Sequence, residues 1–369
     1  MTLLLPPLLD LSPAQQEVLA LPFEESHLVT GGPGAGKTIT AIYRAAALHR
    51  SGRPTVMLMH SKVLSAYTRA AVAQIGAADV ATTYHKWLHA FWQKHYRRNP
   101  PTLERYDFDW MACLTTIITD PPAMEPRPYF VVDEGQDMPA DFYLAIGALS
   151  SSVTVFADEN QRIGRRQSTV REIAAAARTN RPVALPGTVR NSRPIRDLAD
   201  HFRPGGSTTD ALPDGPVPRL IRVPQKADVA EHLLLHEKQH PNETIGVILH
   251  RSRDLFYYHH QLDHRTVNPL QGYVSGRRAG AALSDPAFSG PGLKLITWQS
   301  VKGLEFDSVI VPELQTVPGD ITSDNMRMSL YVLVTRARRG LTFMYSGTGE
   351  PALVDALPKD LLDLSQYTP

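Results

Sequence analysis

The sequence predicts an α/β protein made of two tandem domains, each a mostly parallel sheet flanked by helices. Three observations predict it. Short, continuously apolar segments recur along the chain; helical patterns separate them; and the series runs through once, then again after a crossing rich in Arg, Asn and Pro. At 369 residues, two domains fit ordinary domain sizes better than one.

Residues 25–30 read as a short strand, followed by a glycine-rich turn and a helix over residues 37–49, where Ile39, Ile42, Ala45 and Ala46 fall on one face. Residues 55–59, 129–132 and 153–156 read as further buried strands. Residues 178–187 form the expected crossing. The second series comprises residues 244–249, 293–297, 308–311 and 341–345, with a Pro- and Gly-rich loop at residues 204–218. The predicted domains are residues 1–180, with a short insertion at 89–128, and residues 181–369. The chain shows no internal repeat and no low-complexity tract.

Composition narrows the class. A net charge of +1 gives no global cationic field, so any nucleic-acid contact must come from a local groove. The single cysteine, Cys113, excludes an internal disulfide and a cysteine-cluster metal site. No apolar run approaches the roughly 18 to 20 residues that span a bilayer. The opening Met1-Thr2-Leu3-Leu4-Leu5-Pro6-Pro7 lacks the features of a secretory leader, and the expected location is cytoplasmic.

Between the first strand and the first long helix lies Gly31-Gly32-Pro33-Gly34-Ala35-Gly36-Lys37-Thr38, the pattern of a phosphate-binding loop in its proper context. Glycines let the backbone curl so that successive N–H groups face phosphate oxygens, and the helix N-terminus adds partial positive charge. Lys37 would bridge the terminal phosphates, Thr38 would offer its hydroxyl to Mg²⁺, and Ala35 and Ile39 would complete the nucleotide-binding segment. The competing reading, a glycine-rich turn that happens to precede a lysine, is disfavoured by the strand and helix on either side. Val131-Val132-Asp133-Glu134 supplies the partner: an apolar strand ending in two carboxylates. Asp133 would hold Mg²⁺ through water, and Glu134 would accept a proton from the attacking water.

With these two motifs in place, the order of further segments resembles the motor core of the UvrD/PcrA/Rep group of superfamily 1 helicases over nearly the whole chain. That resemblance implies two RecA-like domains, with ATP and Mg²⁺ in a cleft between them. Leu11-Ser12-Pro13-Ala14-Gln15 is similar to the group's adenine-reading segment, which makes Gln15 the candidate for the base edge. Ala157-Asp158-Glu159-Asn160-Gln161 is similar to the third motif, in which the glutamine, here Gln161, senses the terminal phosphate. Val189-Arg190-Asn191-Ser192 resembles the fourth motif and residues 330–337 the sixth, so Arg190 and Arg336 are the expected arginine fingers. Residues 297–307, carrying Lys302-Gly303-Leu304-Glu305-Phe306-Asp307, resemble the fifth. By that resemblance Gly303 and Glu305 face the nucleotide, while Thr297 and Gln299 face nucleic acid.

The chain departs from the group in two respects. Its insertions are small, and the gap between the Thr82-Thr83-Tyr84-His85 segment and Asp133 holds Trp87, Trp92, Lys94, Tyr96, Arg97 and Arg98, read either as a basic and aromatic strand contact or as an amphipathic helix with a solvated edge. Several of the group's base-stacking aromatics are also replaced: His60, Gly164, Arg166, Val189 and Gln299 occupy those places. The expected nucleic-acid contacts are His60, Thr83, His85, Arg162, Arg166, Thr297 and Gln299. The leading expectation is an ATP-hydrolysing helicase or translocase core that binds single-stranded DNA or RNA. The alternative is an ATP-gated switch subunit read by a protein partner such as a nuclease or defence component. A degenerate nucleotide binder is disfavoured by the complete set Lys37, Asp133, Glu134, Gln161, Arg190 and Arg336.

Overall fold

A computed structural model describes residues 5–104, 107–158, 167–186, 191–202, 212–274, 283, 288–318 and 323–364. The chain forms two compact units, one spanning Leu3–Thr188 and the other Val189–Pro369.

The first unit contains β1 (His27–Thr30), β2 (Thr55–Met59), β3 (Ala81–Thr83), the hairpin β4 (Thr102–Glu104) and β5 (Asp107–Phe108), β6 (Tyr129–Val132), β7 (Ser152–Ala157) and β8 (Val183–Ala184). Apart from the antiparallel hairpin, these strands form one six-stranded parallel sheet in the order β3-β2-β6-β7-β1-β8. Its helices are α1 (Pro13–Ala20), α2 (Lys37–Arg50), α3 (Lys62–Gln74), α4 (Tyr84–Tyr96), α5 (Trp110–Thr119), α6 (Ala140–Leu149) and α7 (Val170–Ala176). Their starts are written in the sequence: Ser12, Ser61, Thr83, Asp109 and Thr169 each accept a backbone N–H from the first turn of the helix that follows. Helices cover both faces of the sheet, so the central strands carry apolar residues on both sides: Val131, Val132, Val155 and Phe156 are all buried.

The second unit contains β9 (Arg219–Val223), β10 (Thr244–Leu249), β11 (Gln271–Tyr273), β12 (Gly292–Thr297), β13 (Phe306–Val311) and β14 (Ala337–Ser346). They form a second parallel sheet, ordered β11-β12-β10-β13-β14-β9. Its helices are α8 (Arg193–Phe202), α9 (Lys226–Gln239), α10 (Ser252–Leu262), α11 (Asp324–Val334) and the short α12 (Ala352–Asp355). Leu249, Leu293, Leu295, Ile310 and Met344 lie at the centre of its core.

All eight strands expected from the sequence are present. Among the described residues six further strands appear: β3, β8, β9 and β11 are the edges of the two sheets, and β4 and β5 make the hairpin. Val183–Ala184 pairs with β1, and the first unit extends past the expected boundary at residue 180 and takes in the whole of the expected crossing. Residues 212–218 form neither helix nor strand, as expected of the loop there, and residues 203–211 lie outside the described set. The insertion at 89–128 holds the end of α4, the hairpin and α5. Trp92 is fully buried, and Trp87 stacks on Phe91 at 5.4 Å and meets Phe130 edge-on at 5.1 Å. These aromatics serve the core, which supports the amphipathic-helix reading of that stretch.

Candidate nucleotide site

In the first sheet β6, β7 and β1 are neighbours, so their carboxyl ends deliver Asp133, Asp158 and the glycine-rich loop to one place. Ligands favour this edge of an open parallel sheet. The loop curls because Gly34 and Gly36 adopt the left-handed conformation, at φ 76° and 77°. Gly36 is the N-cap of α2 and supplies no side-chain acceptor, which leaves the first-turn N–H groups of Lys37, Thr38 and Ile39 without an intrahelical partner. A side chain at Gly36 would also collide with Gln15, whose Nε2 would lie 2.1 Å from a Cβ there.

Lys37 is 7% exposed, and its ammonium is bent back onto the loop. It donates to Gly31 O at 2.8 Å and Gly32 O at 2.9 Å, and pairs with Asp158 Oδ2 at 3.4 Å. Thr38 Oγ1 donates to Asp133 Oδ2 at 2.8 Å, and Asp133 Oδ1 accepts the Glu134 N–H at 3.0 Å. Burial, and next the charge of Glu134, push the Asp133 carboxyl up to about 7, against the pull of the Thr38 hydroxyl and Lys37.

Glu134 adopts φ 54°, a left-handed turn that takes the chain sharply off β6. Its carboxylate is held from the side: Gln136 Nε2 donates to Glu134 Oε2 at 2.5 Å, while Gln136 Oε1 accepts the Asp158 N–H at 2.9 Å. Gln136 is fully buried and ties the end of β6 to the end of β7. Neither Gln136 nor Asp158 was expected from the sequence to have a role, although Asp158 stands inside the segment similar to the third motif. Asp158 had a readable signal, an acidic residue closing an apolar strand as Asp133 does. A lone glutamine in a turn carries none.

Gln15, expected at the adenine edge, has its amide engaged within the chain. Its Oε1 accepts the Ser12 N–H at 2.9 Å, and its Nε2 donates to Ala35 O at 3.3 Å, joining the capping box of α1 to the phosphate loop. In the second unit Gly303 has φ 80°, Glu305 Oε2 accepts from Arg338 Nη2 at 3.2 Å, and Arg336 is buried, its guanidinium donating to Val332 O, Leu304 O and Thr335 Oγ1. Gln161, Arg162, Arg166 and Arg190, with Gly164 and Val189, lie outside the described residues.

Of the expected nucleic-acid contacts, His60, Thr83 and His85 come together at the carboxyl ends of β2 and β3. The His60 ring stacks on Tyr84 at 5.5 Å, and His85 lies 3.9 Å from the same ring. The Thr83 hydroxyl caps α4, accepting the Lys86 N–H at 3.3 Å. Thr297 and Gln299 sit at the carboxyl end of β12. Gln299 is exposed, and Thr297 Oγ1 donates to Ser300 Oγ at 3.0 Å.

Residues 15–167, most of the first unit, match a protein family described as an AAA domain. The chain carries a helicase-like ATPase core. Its fold is that of the P-loop NTPases, as the sequence predicted. Among solved structures, the C-terminal domain of a possible DNA helicase from Lactobacillus plantarum WCFS1 is similar over 48% of this chain and 99% of its own, with 19% identity and a TM-score of 0.34. No curated protein matches the chain. Among the described residues no helix is long and apolar enough to cross a membrane.

The donor set of this core fits a magnesium nucleotide. Asp133 is a fully buried carboxylate joined to the Thr38 hydroxyl, an oxygen pair a hard cation favours. Among the described residues no cluster of three or more His, Cys, Asp or Glu side chains could hold a metal alone. A cation beside Thr38 and Asp133 would therefore draw its remaining ligands from phosphate and water, as Mg²⁺ commonly does.

Proposed function

We propose that the chain hydrolyses ATP with Mg²⁺ at the first unit's site and couples turnover to single-stranded DNA or RNA, as a minimal translocase core. The observation that carries this reading is the convergence of Lys37, Thr38, Asp133, Glu134 and Asp158 at the carboxyl ends of three adjacent strands. In it, the loop N–H groups and Lys37 bind the phosphates, with Lys37 exchanging two loop carbonyls for phosphate oxygens. Thr38 and Asp133 would hold Mg²⁺, which would supply positive charge beside the phosphates. Glu134, oriented by Gln136, accepts a proton from the attacking water. Arg190 and Arg336, the arginines of the fourth and sixth motif resemblances, would stabilise charge on the transferring phosphoryl group.

The nucleic-acid half of the proposal rests on His60, Thr83, His85, Thr297 and Gln299, all at the carboxyl ends of strands, and on Arg162 and Arg166. Base stacking contributes roughly 1 to 3 kcal/mol per base, and Trp87 and Trp92 are committed to the core. The expected track is therefore held more by phosphate contacts than by stacking, with strong salt dependence.

The deciding experiment is steady-state ATP hydrolysis with and without single-stranded DNA or RNA, with Lys37→Ala as the blank. Stimulation by one polymer, on the order of tenfold and lost in the variant, is the expected result. Turnover indifferent to both polymers sinks the translocase half and favours the ATP-gated switch with a protein partner. Turnover no higher than the blank sinks the hydrolase itself.

A further inference from the structure

Asn191 stands just ahead of α8 with its side chain buried, 6% exposed. Its Nδ2 donates to Thr335 O at 3.1 Å and to Ala337 O at 2.6 Å. Those two carbonyls flank Arg336. The neighbouring Ser192 N–H donates to Arg338 O at 2.9 Å, and the carbonyl of Arg336 accepts the Phe306 N–H at 2.9 Å. Four successive peptide carbonyls around Arg336, residues 335–338, are thus each held by a donor from outside the segment. The guanidinium is fixed as well, through Nε to Val332 O at 2.8 Å and Nη1 to Leu304 O at 3.0 Å.

Only a primary amide fits the place of Asn191. Both partners are carbonyl oxygens, so the side chain must present two N–H groups from one short stem. Serine offers one donor, and aspartate at neutral pH offers none and sets its charge against two acceptors. Aligned in advance on a fixed backbone, an arginine pays no reorganisation cost when charge develops nearby.

We propose that Asn191 is the positioning residue for Arg336, its carboxamide fixing the backbone on both sides of that arginine. The proposal rests on the hydrolase reading above and on the role given there to Arg336. A role confined to packing would act on stability alone; a positioning role must act through Arg336.

A double-mutant cycle on the full chain separates the two. Steady-state ATP hydrolysis is measured for wild type, Asn191→Ala, Arg336→Ala and the double variant, with Lys37→Ala as the blank, folding being followed by thermal melting. Asn191→Ala is expected to lower kcat by about tenfold, the scale of a small misplacement of a reacting group, while KM stays within about threefold. In the Arg336→Ala background the same change should cost less than about twofold. Asn191→Ser, which keeps one donor, should fall between wild type and alanine, and it serves as the test variant should alanine not fold. An unchanged kcat in a folded Asn191 variant, or an equal loss with and without Arg336, overturns the positioning role while the hydrolase reading stands. Wild type indistinguishable from Lys37→Ala overturns both.

Discussion

Gln136 and Glu134 are joined side chain to side chain at 2.5 Å, inside a turn where Glu134 adopts a left-handed backbone and Gln136 is fully buried. The same amide holds the Asp158 N–H, so the carboxylate proposed as the general base is aimed from the end of a neighbouring strand. Replacing Gln136 with Ala should lower kcat for ATP by about ten- to a hundredfold, part of the roughly 10²- to 10⁴-fold that a general base contributes, with little change in KM. Gln136→Glu should be worse, since it sets a second carboxylate against Glu134. Steady-state kinetics of the two variants check this, and a rise in KM at constant kcat would refute it.

Asp133, the proposed Mg²⁺ ligand, should be stabilising only when a cation is bound beside it. Burial and the neighbouring Glu134 both work against its charge, so neutralising it should relieve the free protein. Asp133→Asn is expected to melt at or above the wild-type temperature without nucleotide, and to lose the increase that ATP and Mg²⁺ give wild type. A ligand at a hundred times its Kd stabilises by about 2.7 kcal/mol, a difference thermal melting resolves easily. An equal nucleotide-induced rise in both proteins would contradict the assignment.

Arg44 lies inside the first unit, fully buried in α2, and donates to Leu19 O in the last turn of α1 and to Leu21 O and Pro22 O just beyond it, with its guanidinium over the Phe23 ring. Burial pulls it down to about 10, still charged at neutral pH. Arg44→Leu leaves these carbonyls without their donor and should destabilise the first unit by roughly 3 kcal/mol, as loss of a charged hydrogen-bonding group does. Urea unfolding measures it, and a cost below about 1 kcal/mol would show that water replaces the guanidinium.

The second unit should lose stability in mild acid. His232 and His236 on α9 are both pulled down to about 4, chiefly by burial, with His236 and Arg219 adding to it for His232, and His240 for His236 against the opposing charge of Glu243. In the folded unit they stay neutral, whereas unfolded they take up protons below about 6.5. The unfolded chain therefore binds more protons between about pH 6.5 and 4, and stability falls as pH drops through that window. Each tenfold difference in proton affinity between the folded and unfolded chain is worth about 1.4 kcal/mol. Urea midpoints at about pH 7.5 and 5, on either side of the unfolded value, measure the loss. The double variant His232→Leu, His236→Leu should flatten it, and an equally steep loss in that variant would assign the effect elsewhere.

The sequence revealed the middle of each sheet and missed the rim. Segments such as residues 129–132 and 244–249 are buried on both faces and read as unbroken apolar runs, so composition alone marks them. Val183–Ala184 has two residues, Ala81–Thr83 and Gln271–Tyr273 three, and Arg219–Val223 exposes two arginines; each is a strand because a neighbour offers a ladder, which no local pattern records. The site divides in the same way. The glycine-rich loop and Asp133-Glu134 are contiguous and legible because phosphate chemistry fixes their spacing. Gln136 and Asn191 act on atoms 22 residues and more than 140 residues away in sequence, and only the folded chain brings those atoms to them.

The last strand of the first sheet has a mechanical consequence. Leu185 N–H donates to Thr30 O at 2.7 Å, and Leu185 O stands so near Gly31 that a Cβ there would lie 2.9 Å away. The chain following β8 is thus fastened to the root of the phosphate loop. Tension along residues 183–186 is borne directly by the backbone of Thr30 and Gly31, and a movement of that loop must be taken up by the departing chain. Loop and tether form a single lever, and Gly31 is where its two arms meet.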